Sequence, residues 1–94
     1  MRYNVTMIRH RVVVHGHVQG VFFRDTCQRQ ATARHVDGWV TNRADGSVEA
    51  VFEGASDAVH ALTDWCREGP PSARVERIDV HQETPRGEQG FAVR

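Results

Sequence analysis

A loop with two glycines four residues apart is the part of the sequence best suited to bind a ligand. After Gly16 and Gly20 the chain enters a segment of helical periodicity. Glycine readily adopts the positive φ values that turn consecutive main-chain N–H groups toward one point. The N-terminus of a helix also favours an anion, through its unpaired N–H groups and its dipole. The main chain of residues 16–21 is therefore predicted to hold an oxyanion.

Arg24 lies in the first turn of the predicted helix, just after this loop. Its guanidinium can bind two oxygens of a phosphate or carboxylate side by side. A cation at this end of a helix works against the helix dipole, so its presence favours a site that an anion visits. The alternative is a solvated surface arginine beside a common kind of loop. The segment is not a nucleotide-binding loop, because both that motif's glycine spacing and its closing Lys-Ser/Thr are missing.

Asn42 is the second candidate for chemistry. It ends a predicted strand, just before the turn signal Asp45-Gly46. A neutral amide at this point can both donate and accept a hydrogen bond, so it could orient a water molecule or a ligand. The alternative is that Asn42 only hydrogen-bonds its own backbone near the turn.

The histidines and cysteines do not form a convincing metal site. His15 and His17 have a His-x-His spacing, but no third ligand is visible, so packing or solvated roles are expected for the six histidines and no metal is predicted. Cys27 and Cys66 are too few for a disulfide framework or a four-ligand zinc site. They could be neighbours on two helices, but small apolar fillers with free thiols are the expected outcome.

The elements that must position these groups follow from hydrophobic periodicity and from the turn residues between them. The pattern predicts strands over residues 9–15, 36–43, 47–53, 74–82 and 91–93, and helices over residues 22–35 and from Ser56 to Gly69. Ser56 is the predicted N-cap of the second helix, and Gly69-Pro70-Pro71 ends it. Ala44-Asp45-Gly46 predicts a hairpin between the second and third strands.

Buried stripes support these elements. The uninterrupted run Val12–Val14 suits a central strand, and Phe23, Cys27 and Ala31 form one stripe of the first helix. The second helix has a stripe of its own, and the third strand alternates cleanly. Their predicted buried residues are Val48, Ala50, Phe52, Val59, Leu62 and Cys66, with Trp65 beside them. In the fourth strand Val75 is out of phase with Ile78 and Val80, which indicates a bulge or fraying at the strand start.

The element order β-α-β-β-α-β, with a small strand appended, predicts an α+β fold. Two interleaved right-handed β-α-β crossovers give a split βαβ arrangement, an antiparallel sheet with both helices on one face and the first strand central. Residues 1–8 have no clean period and are predicted to be a frayed lead-in. Residues 9–94 are predicted to form a single domain.

Composition narrows the class of protein. Among 94 residues there are fourteen Val but one Leu, a balance that favours a sheet and argues against an all-helical bundle. Twelve Arg balance twelve acidic residues, so the zero net charge disfavours a nucleic-acid binder. The absence of Lys excludes a Schiff-base lysine. With no signal peptide or membrane span in the sequence, a soluble cytoplasmic protein is expected.

Two long segments resemble the signatures of the acylphosphatase family. They are GHVQGVFFR, residues 16–24, and GWVTNRADGSVE, residues 38–49. The segment GPPSARV, residues 69–75, and the closing Gly90-Phe91 are also similar to the family pattern. The resemblance extends from about Arg11 to the last residue.

This resemblance implies a small ferredoxin-like hydrolase that cleaves the carboxyl–phosphate bond of acyl phosphates without a metal or organic cofactor. It implies that Arg24 is the catalytic, phosphate-binding arginine and that Asn42 positions the attacking water. It further implies a main-chain cradle for the phosphate, made by Gly16, His17, Val18, Gln19, Gly20 and Val21. The expected partner is a small-molecule acyl phosphate, with no nucleic acid and no membrane, and the chain is expected to be a monomer.

Two other functions stay open at this point. A binding module of the same fold could hold a carboxylate, phosphate or carbamoyl group without turnover, since fold alone does not fix function. The presence of both Arg24 and Asn42 favours the enzyme, because a binder has no use for an amide that orients water. A single-stranded RNA binder is disfavoured by the zero net charge.

Overall fold

The computed structural model describes residues 5–94, which form five strands and two helices. The strands are β1 (Met7–His17), β2 (Asp37–Asn42), β3 (Val48–Ala55), β4 (Arg74–Glu83) and β5 (Phe91–Val93), and the helices are α1 (Phe23–Ala33) and α2 (Ser56–Trp65). The predicted element order is confirmed. Neither helix in this described part is long and apolar enough to cross a membrane.

The sheet has the strand order β4-β1-β3-β2-β5. Strand β1 pairs with both β3 and β4, so the first strand is central as predicted. The four long strands are antiparallel to their neighbours, but β5 runs parallel to β2. The sheet is therefore mixed rather than wholly antiparallel, because the chain after β4 crosses the sheet and enters the far edge in the direction of β2. The α+β, ferredoxin-like split βαβ fold is confirmed.

Strand β1 is longer at both ends than the sequence pattern predicts. Met7 and Ile8 pair with Ala55 and Gly54 of β3, so they belong to the sheet and not to a frayed lead-in. Residues 1–4 of the predicted lead-in lie outside the described residues. Ile8 is buried in the core, which explains why the strand begins before the Val run.

Gly16 and His17 also lie in β1, although the sequence pattern predicts a loop there. They pair with Val75 and Arg74 of β4, after a register shift between His15 and Gly16. A Cβ at position 16 would lie 2.2 Å from the carbonyl oxygen of Arg74. Glycine is therefore required at this position by the close approach of β4, and its φ of +130° also disfavours any residue with a Cβ.

The same register shift explains the phase of β4. His15 pairs with Arg77 and Gly16 pairs with Val75, so Glu76 is left over as the extra residue of a bulge. Val75 and Ile78 then both pack against the core although they are three residues apart. Of the two expected causes, a bulge or fraying at the strand start, the structure shows the bulge.

The two faces of the sheet differ in character. One face, covered by the helices, carries the core, and the predicted stripes of both helices are buried there. Ser56, however, is the first helical residue, and the N-cap position falls on Ala55, which makes no side-chain cap bond. The core residues are Ile8, Val12, Val14, Val18, Val21, Phe23, Cys27, Ala31, Val36, Val40, Val48, Ala50, Phe52, Val59, Leu62 and Cys66. Both cysteines are free thiols.

The opposite face carries a buried ion-pair cluster around Arg9. Its side chain is 1% exposed, and its guanidinium contacts Glu83 at 2.8 Å, Glu88 at 3.0 Å and Glu53 at 3.2 Å. Burial alone would lower the pKa of Arg9, but the hydrogen bonds to Glu83 and Glu88 outweigh it and raise that pKa. Three of the five strands, β1, β3 and β4, are thereby joined at one level across this face, because Arg9 is the direct neighbour of both Glu53 and Glu83.

The segment between β4 and β5, residues 84–90, is fastened to this cluster. The Glu53 carboxylate accepts main-chain hydrogen bonds from Arg86 at 2.6 Å, Gly87 at 2.8 Å and Glu88 at 3.1 Å. Burial raises the pKa of Glu53, but these three N–H donors and Arg9 outweigh it and lower that pKa. The segment is thereby held in the path that delivers β5 to the edge strand β2.

Candidate active site

A cleft of about 310 Å³ opens between the start of α1, the loop before it, the end of β2 and β5. Its lining residues are Val18, Gly20, Phe22, Phe23, Arg24, Asp25, Asn42 and Val93. The cleft lies on the helix-covered side of the sheet, because Asn42 and Val93 follow the same alternation as the buried Val40. It therefore joins both residues that the sequence singles out, Arg24 and Asn42.

Arg24 is the second residue of α1 and is half-buried. Its Nη1 donates a hydrogen bond to the main-chain carbonyl oxygen of Arg94, at 2.9 Å. This bond uses one of the five N–H donors of the guanidinium and fixes the group at the wall of the cleft. The remaining donors are suited to the oxygens of an anion.

Asn42 is the last residue of β2, and its side chain is half-buried at the cleft. Among the hydrogen bonds of residues 5–94, Asn42 contributes its main chain and never its side-chain amide. The turn is stabilised by another residue, since Asp45 accepts a hydrogen bond from the main-chain N–H of Ser47 at 3.0 Å. The alternative role for Asn42, a bond to its own backbone, is therefore not observed.

The loop that borders the cleft begins at Val18, after the end of β1. Within the described chain, no main-chain carbonyl oxygen accepts a hydrogen bond from the N–H of Val18, Gln19, Gly20 or Val21. Gly20 has φ +74°, and Phe22 has φ +64°, so two left-handed residues turn the loop into α1. Such a run of N–H groups without internal partners is the main-chain arrangement that favours an anion.

The side chain of Gln19 ties this loop to the hairpin between β2 and β3. Its Nε2 donates to the carbonyl oxygen of Arg43 at 2.7 Å and to that of Ser47 at 3.0 Å. Sequence reasoning assigns only the main chain of Gln19 to the site. The role of the side chain depends on contacts with residues 24 and 28 positions away, which no local sequence pattern indicates.

Strand β5 supplies a wall of the cleft that the sequence pattern does not reveal. Val93 lines the cleft, and Gln28 of α1 donates to the carbonyl oxygen of Phe91 at 2.9 Å. Together with the bond from Arg24 to Arg94, this fastens the end of the chain to the first half of α1. These contacts join residues more than sixty positions apart, so only the fold brings them together.

Two further ionisable side chains, one at the cleft and one on the opposite face of the sheet, are already paired. Asp25, which lines the cleft, forms an ion pair with Arg29 at 2.8 Å. His15 Nε2 lies 2.9 Å from a carboxylate oxygen of Asp79, on the other face of the sheet. In the described part of the chain, no three or more His, Cys, Asp or Glu side chains are grouped so that they could hold a metal ion.

Comparison with known proteins agrees with the fold and with the two motifs. The sequence model of the acylphosphatase family matches residues 10–93. An acylphosphatase of Rubrobacter xylanophilus is 55% identical over 87 residues, covering 92% of this chain and 79% of that protein. One of Syntrophus aciditrophicus is 56% identical over 82 residues, covering 87% of this chain and 85% of that protein.

A solved structure supports the same assignment. The acylphosphatase structure from Coxiella burnetii superposes with a TM-score of 0.90 at 38% identity, covering 94% of this chain and 93% of that one. The family match, the two relatives and this structure all extend over most of the chain. The chain therefore belongs to the acylphosphatase family of enzymes.

Proposed function

We propose that the chain hydrolyses the carboxyl–phosphate bond of a small acyl phosphate by attack of water at phosphorus. In this mechanism Arg24 and the N–H groups of residues 16–21 bind the phosphate oxygens, and Asn42 orients the water. Since Gly16 and His17 are paired with β4, the N–H groups of Val18 to Val21 carry most of the proposed cradle.

One observation carries the proposal. Arg24 and Asn42 come from different elements, α1 and β2, yet they line one cleft together with Gly20 of the loop. A cation, a main-chain anion site and an amide free to orient water can together supply the positioning and charge stabilisation on which phosphoryl transfer depends.

The proposed hydrolysis makes one bond and breaks one bond, and these three groups are sufficient for it. The oxygen of water forms a bond to phosphorus, while the bond from phosphorus to the carboxyl oxygen breaks and the carboxylate leaves with the electron pair. The carboxylate is a good leaving group, so no strong acid and no covalent enzyme intermediate is required. The guanidinium of Arg24 and the loop N–H groups stabilise the negative charge that spreads over the phosphoryl oxygens.

The proton of the attacking water goes to the phosphate itself or to bulk water late in the reaction. The carboxylate that lines the cleft, Asp25, is half of an exposed ion pair with Arg29 and is poorly placed to act as a base. Asn42 holds the water by its carbonyl oxygen or its NH₂ group and takes no proton.

We further infer that the enzyme works as a monomer on a small molecule, with neither a metal nor an organic cofactor. The proposed chemistry leaves no step for a cofactor. The zero net charge does not favour a nucleic-acid partner. Two buried free thiols are in keeping with a reducing compartment such as the cytoplasm.

The test is phosphate release from acetyl phosphate and benzoyl phosphate in the presence of a chelator. Wild type is expected to release phosphate at a rate independent of the chelator, whereas Arg24→Ala is expected to be nearly inactive. Phosphate monoesters should react far more slowly, because their alkoxide leaving groups are poor. Loss of activity on chelation, restored by a divalent metal, would contradict the mechanism.

The rival function is binding without turnover by the same site. Both functions predict that inorganic phosphate binds and that Arg24→Ala weakens it. The two functions differ in the role of Asn42, because only an enzyme needs an amide that orients the attacking water. Phosphate binding by wild type with no release from either acyl phosphate would favour the binding module.

A further inference from the structure

Phe22 is an exposed aromatic residue at the cleft that the proposed mechanism does not use. Its side chain is 77% exposed, more than any other large hydrophobic residue in the described part of the chain. Scattered exposed apolar residues are common and need no explanation. Phe22, however, lines the same cleft as Arg24 and Asn42, so an exposed aromatic residue lies beside the place where a substrate would bind.

Local structure does not explain a phenylalanine at this position. Phe22 is the N-cap residue of α1 with φ 64° and ψ 25°, a left-handed conformation that is unfavourable for a residue with a Cβ. It makes no side-chain cap hydrogen bond. Glycine would adopt this backbone more easily, and Ser, Thr, Asp or Asn would cap the helix better. Neither capping nor backbone conformation therefore accounts for the ring.

A second apolar side chain borders the cleft from β5. Val93 is 41% exposed and is positioned by the pairing of β5 with β2, where it lies beside Val40. The cleft thus combines polar groups suited to a phosphate with two exposed apolar side chains, Phe22 and Val93. An acyl phosphate has the same division, because a charged phosphate is joined to an acyl group that can be apolar.

We propose that Phe22, with Val93 beside it, binds the acyl group of the substrate and gives preference to aromatic and bulky apolar acyl phosphates over acetyl phosphate. The inference rests on the proposed function, since it names what lies next to the phosphate in that site. A flat aromatic acyl group covers the ring of Phe22 and removes apolar surface of both from water. The methyl group of acetyl phosphate is too small to cover much of it.

The test compares kcat/KM for benzoyl phosphate and for acetyl phosphate in variants of Phe22. Phe22→Gly removes the ring and suits the left-handed backbone, so the fold is preserved. It is expected to lower kcat/KM for benzoyl phosphate about tenfold, mainly through KM, and to change that for acetyl phosphate less than twofold. Phe22→Tyr is expected to restore the preference. Inhibition by inorganic phosphate should be the same in all three proteins, because phosphate has no acyl group.

Controls separate this inference from the proposed function. Met7→Ala removes a side chain that is 54% exposed and does not line the cleft, and it should leave both substrates unaffected. An equal loss for both substrates in Phe22→Gly, or no loss for either, would overturn the role of Phe22 while hydrolysis by wild type still supports the proposed function. A wild-type chain that hydrolyses neither acyl phosphate would instead contradict the proposed function.

Discussion

The side chain of Gln19 holds the loop before α1 against Arg43, the residue that follows Asn42. Its Nε2 lies 2.7 Å from the carbonyl oxygen of Arg43, and the same NH₂ group also reaches Ser47 at 3.0 Å. The loop and the end of β2 are thereby joined side by side. Since catalysis by positioning depends on small distances, this contact sets how far the loop N–H groups lie from the amide of Asn42.

Replacement of Gln19 by Ala is therefore expected to lower kcat by roughly ten- to a hundredfold, since a displacement of about 1 Å can have an effect of this size. Gln19→Glu should be at least as harmful, because a carboxylate does not donate to the two carbonyl groups and adds negative charge beside the anion. Steady-state kinetics and inhibition by inorganic phosphate measure both effects. The matched control is Gln82→Ala, an exposed residue of β4. A lower melting temperature with unchanged kinetics would argue for a merely structural role.

Substitutions of Arg24 and of Asn42 are expected to have different effects on inhibition by phosphate. Loss of one preorganised donor to a developing oxyanion typically lowers turnover by ~10²–10³, and Arg24→Ala also removes a charge, so its loss should reach or exceed the upper figure. It should also weaken inhibition by phosphate. Asn42→Ala should lower turnover by a similar factor but leave that inhibition nearly intact, because the proposed role of the amide is to orient water and not to bind phosphate.

The control for this pair is Arg29→Ala, which removes another arginine of α1, one whose side chain is 76% exposed. Its turnover and its inhibition by phosphate should both remain close to wild type. Equal weakening of phosphate inhibition in Arg24→Ala and Asn42→Ala would contradict the proposed division between phosphate binding and water orientation.

Glu53 should be important for stability although it lies on the other face of the sheet from the cleft. Glu53→Gln leaves one acceptor oxygen for the three N–H groups of residues 86–88 and removes one of the three carboxylates around Arg9. Loss of one partner of a buried ion pair costs about 3–5 kcal/mol, and the lower figure applies here because Glu83 and Glu88 remain. Urea unfolding measures the loss, and hydrogen exchange of the amides of residues 86–88 should accelerate. Unchanged exchange at these amides would show that Glu53 does not hold the segment.

Acid should destabilise the protein through Glu83. Hydrogen bonds from Arg11 and then from Arg9 lower the pKa of Glu83 from 4.5 to about 2. As the pH falls below 4.5, the unfolded chain binds a proton at Glu83 that the folded chain does not yet accept. The contribution of Glu83 to the free energy of unfolding is thus complete above about pH 5 and is lost as the pH falls toward 2.

Glu83→Gln should therefore lower stability at pH 7 and flatten its fall between pH 5 and pH 2, as urea unfolding at a series of pH values would show. The control is Glu76→Gln, since Glu76 is an exposed carboxylate of the same strand. If Glu83→Gln kept the full acid slope, the ion pairs with Arg9 and Arg11 would not be its source.

The sequence alone is sufficient to predict the strands and helices, and to select Arg24 and Asn42, which line the cleft from α1 and from β2. Hydrophobic periodicity predicts the strands and helices because burial on one side of each element repeats along the chain. Phe23, Cys27 and Ala31 are buried as that period requires. The sequence pattern predicts Gly16 in the loop, whereas it lies in β1, because a local pattern does not reveal that the Arg74 carbonyl oxygen of β4 would lie 2.2 Å from a Cβ at this position.

The wall of the cleft that β5 forms cannot be predicted from local sequence patterns. Arg24 is hydrogen-bonded to Arg94 across seventy positions, and Gln19 reaches Arg43 across twenty-four. No periodicity or motif in the sequence predicts either contact, because the first depends on where β5 joins the sheet and the second on the strand order that places the loop beside β2. A local motif therefore indicates which residues can bind a ligand, but only the fold shows which distant residues contact them.

The two cysteines give a final prediction about chemical reactivity. Cys27 of α1 and Cys66 at the end of α2 are both fully buried in the core between sheet and helices. A hydrogen bond with Cys66, together with burial, raises the pKa of the Cys27 thiol well above its ordinary value. Since the thiolate is the reactive form, the native protein should react with neither Ellman's reagent nor iodoacetamide at pH 8 on a timescale of minutes.

In denaturant both thiols should react, giving two per chain, and the slow reaction of the native protein should follow the rate of unfolding. Activity should survive treatment with iodoacetamide, because neither thiol lines the cleft. Rapid labelling of one thiol in the folded protein would show that the helices separate locally without global unfolding. Treatment with diamide should leave the migration on a non-reducing gel unchanged, since the oxidant has to reach a sulfur atom that the folded core excludes from solvent.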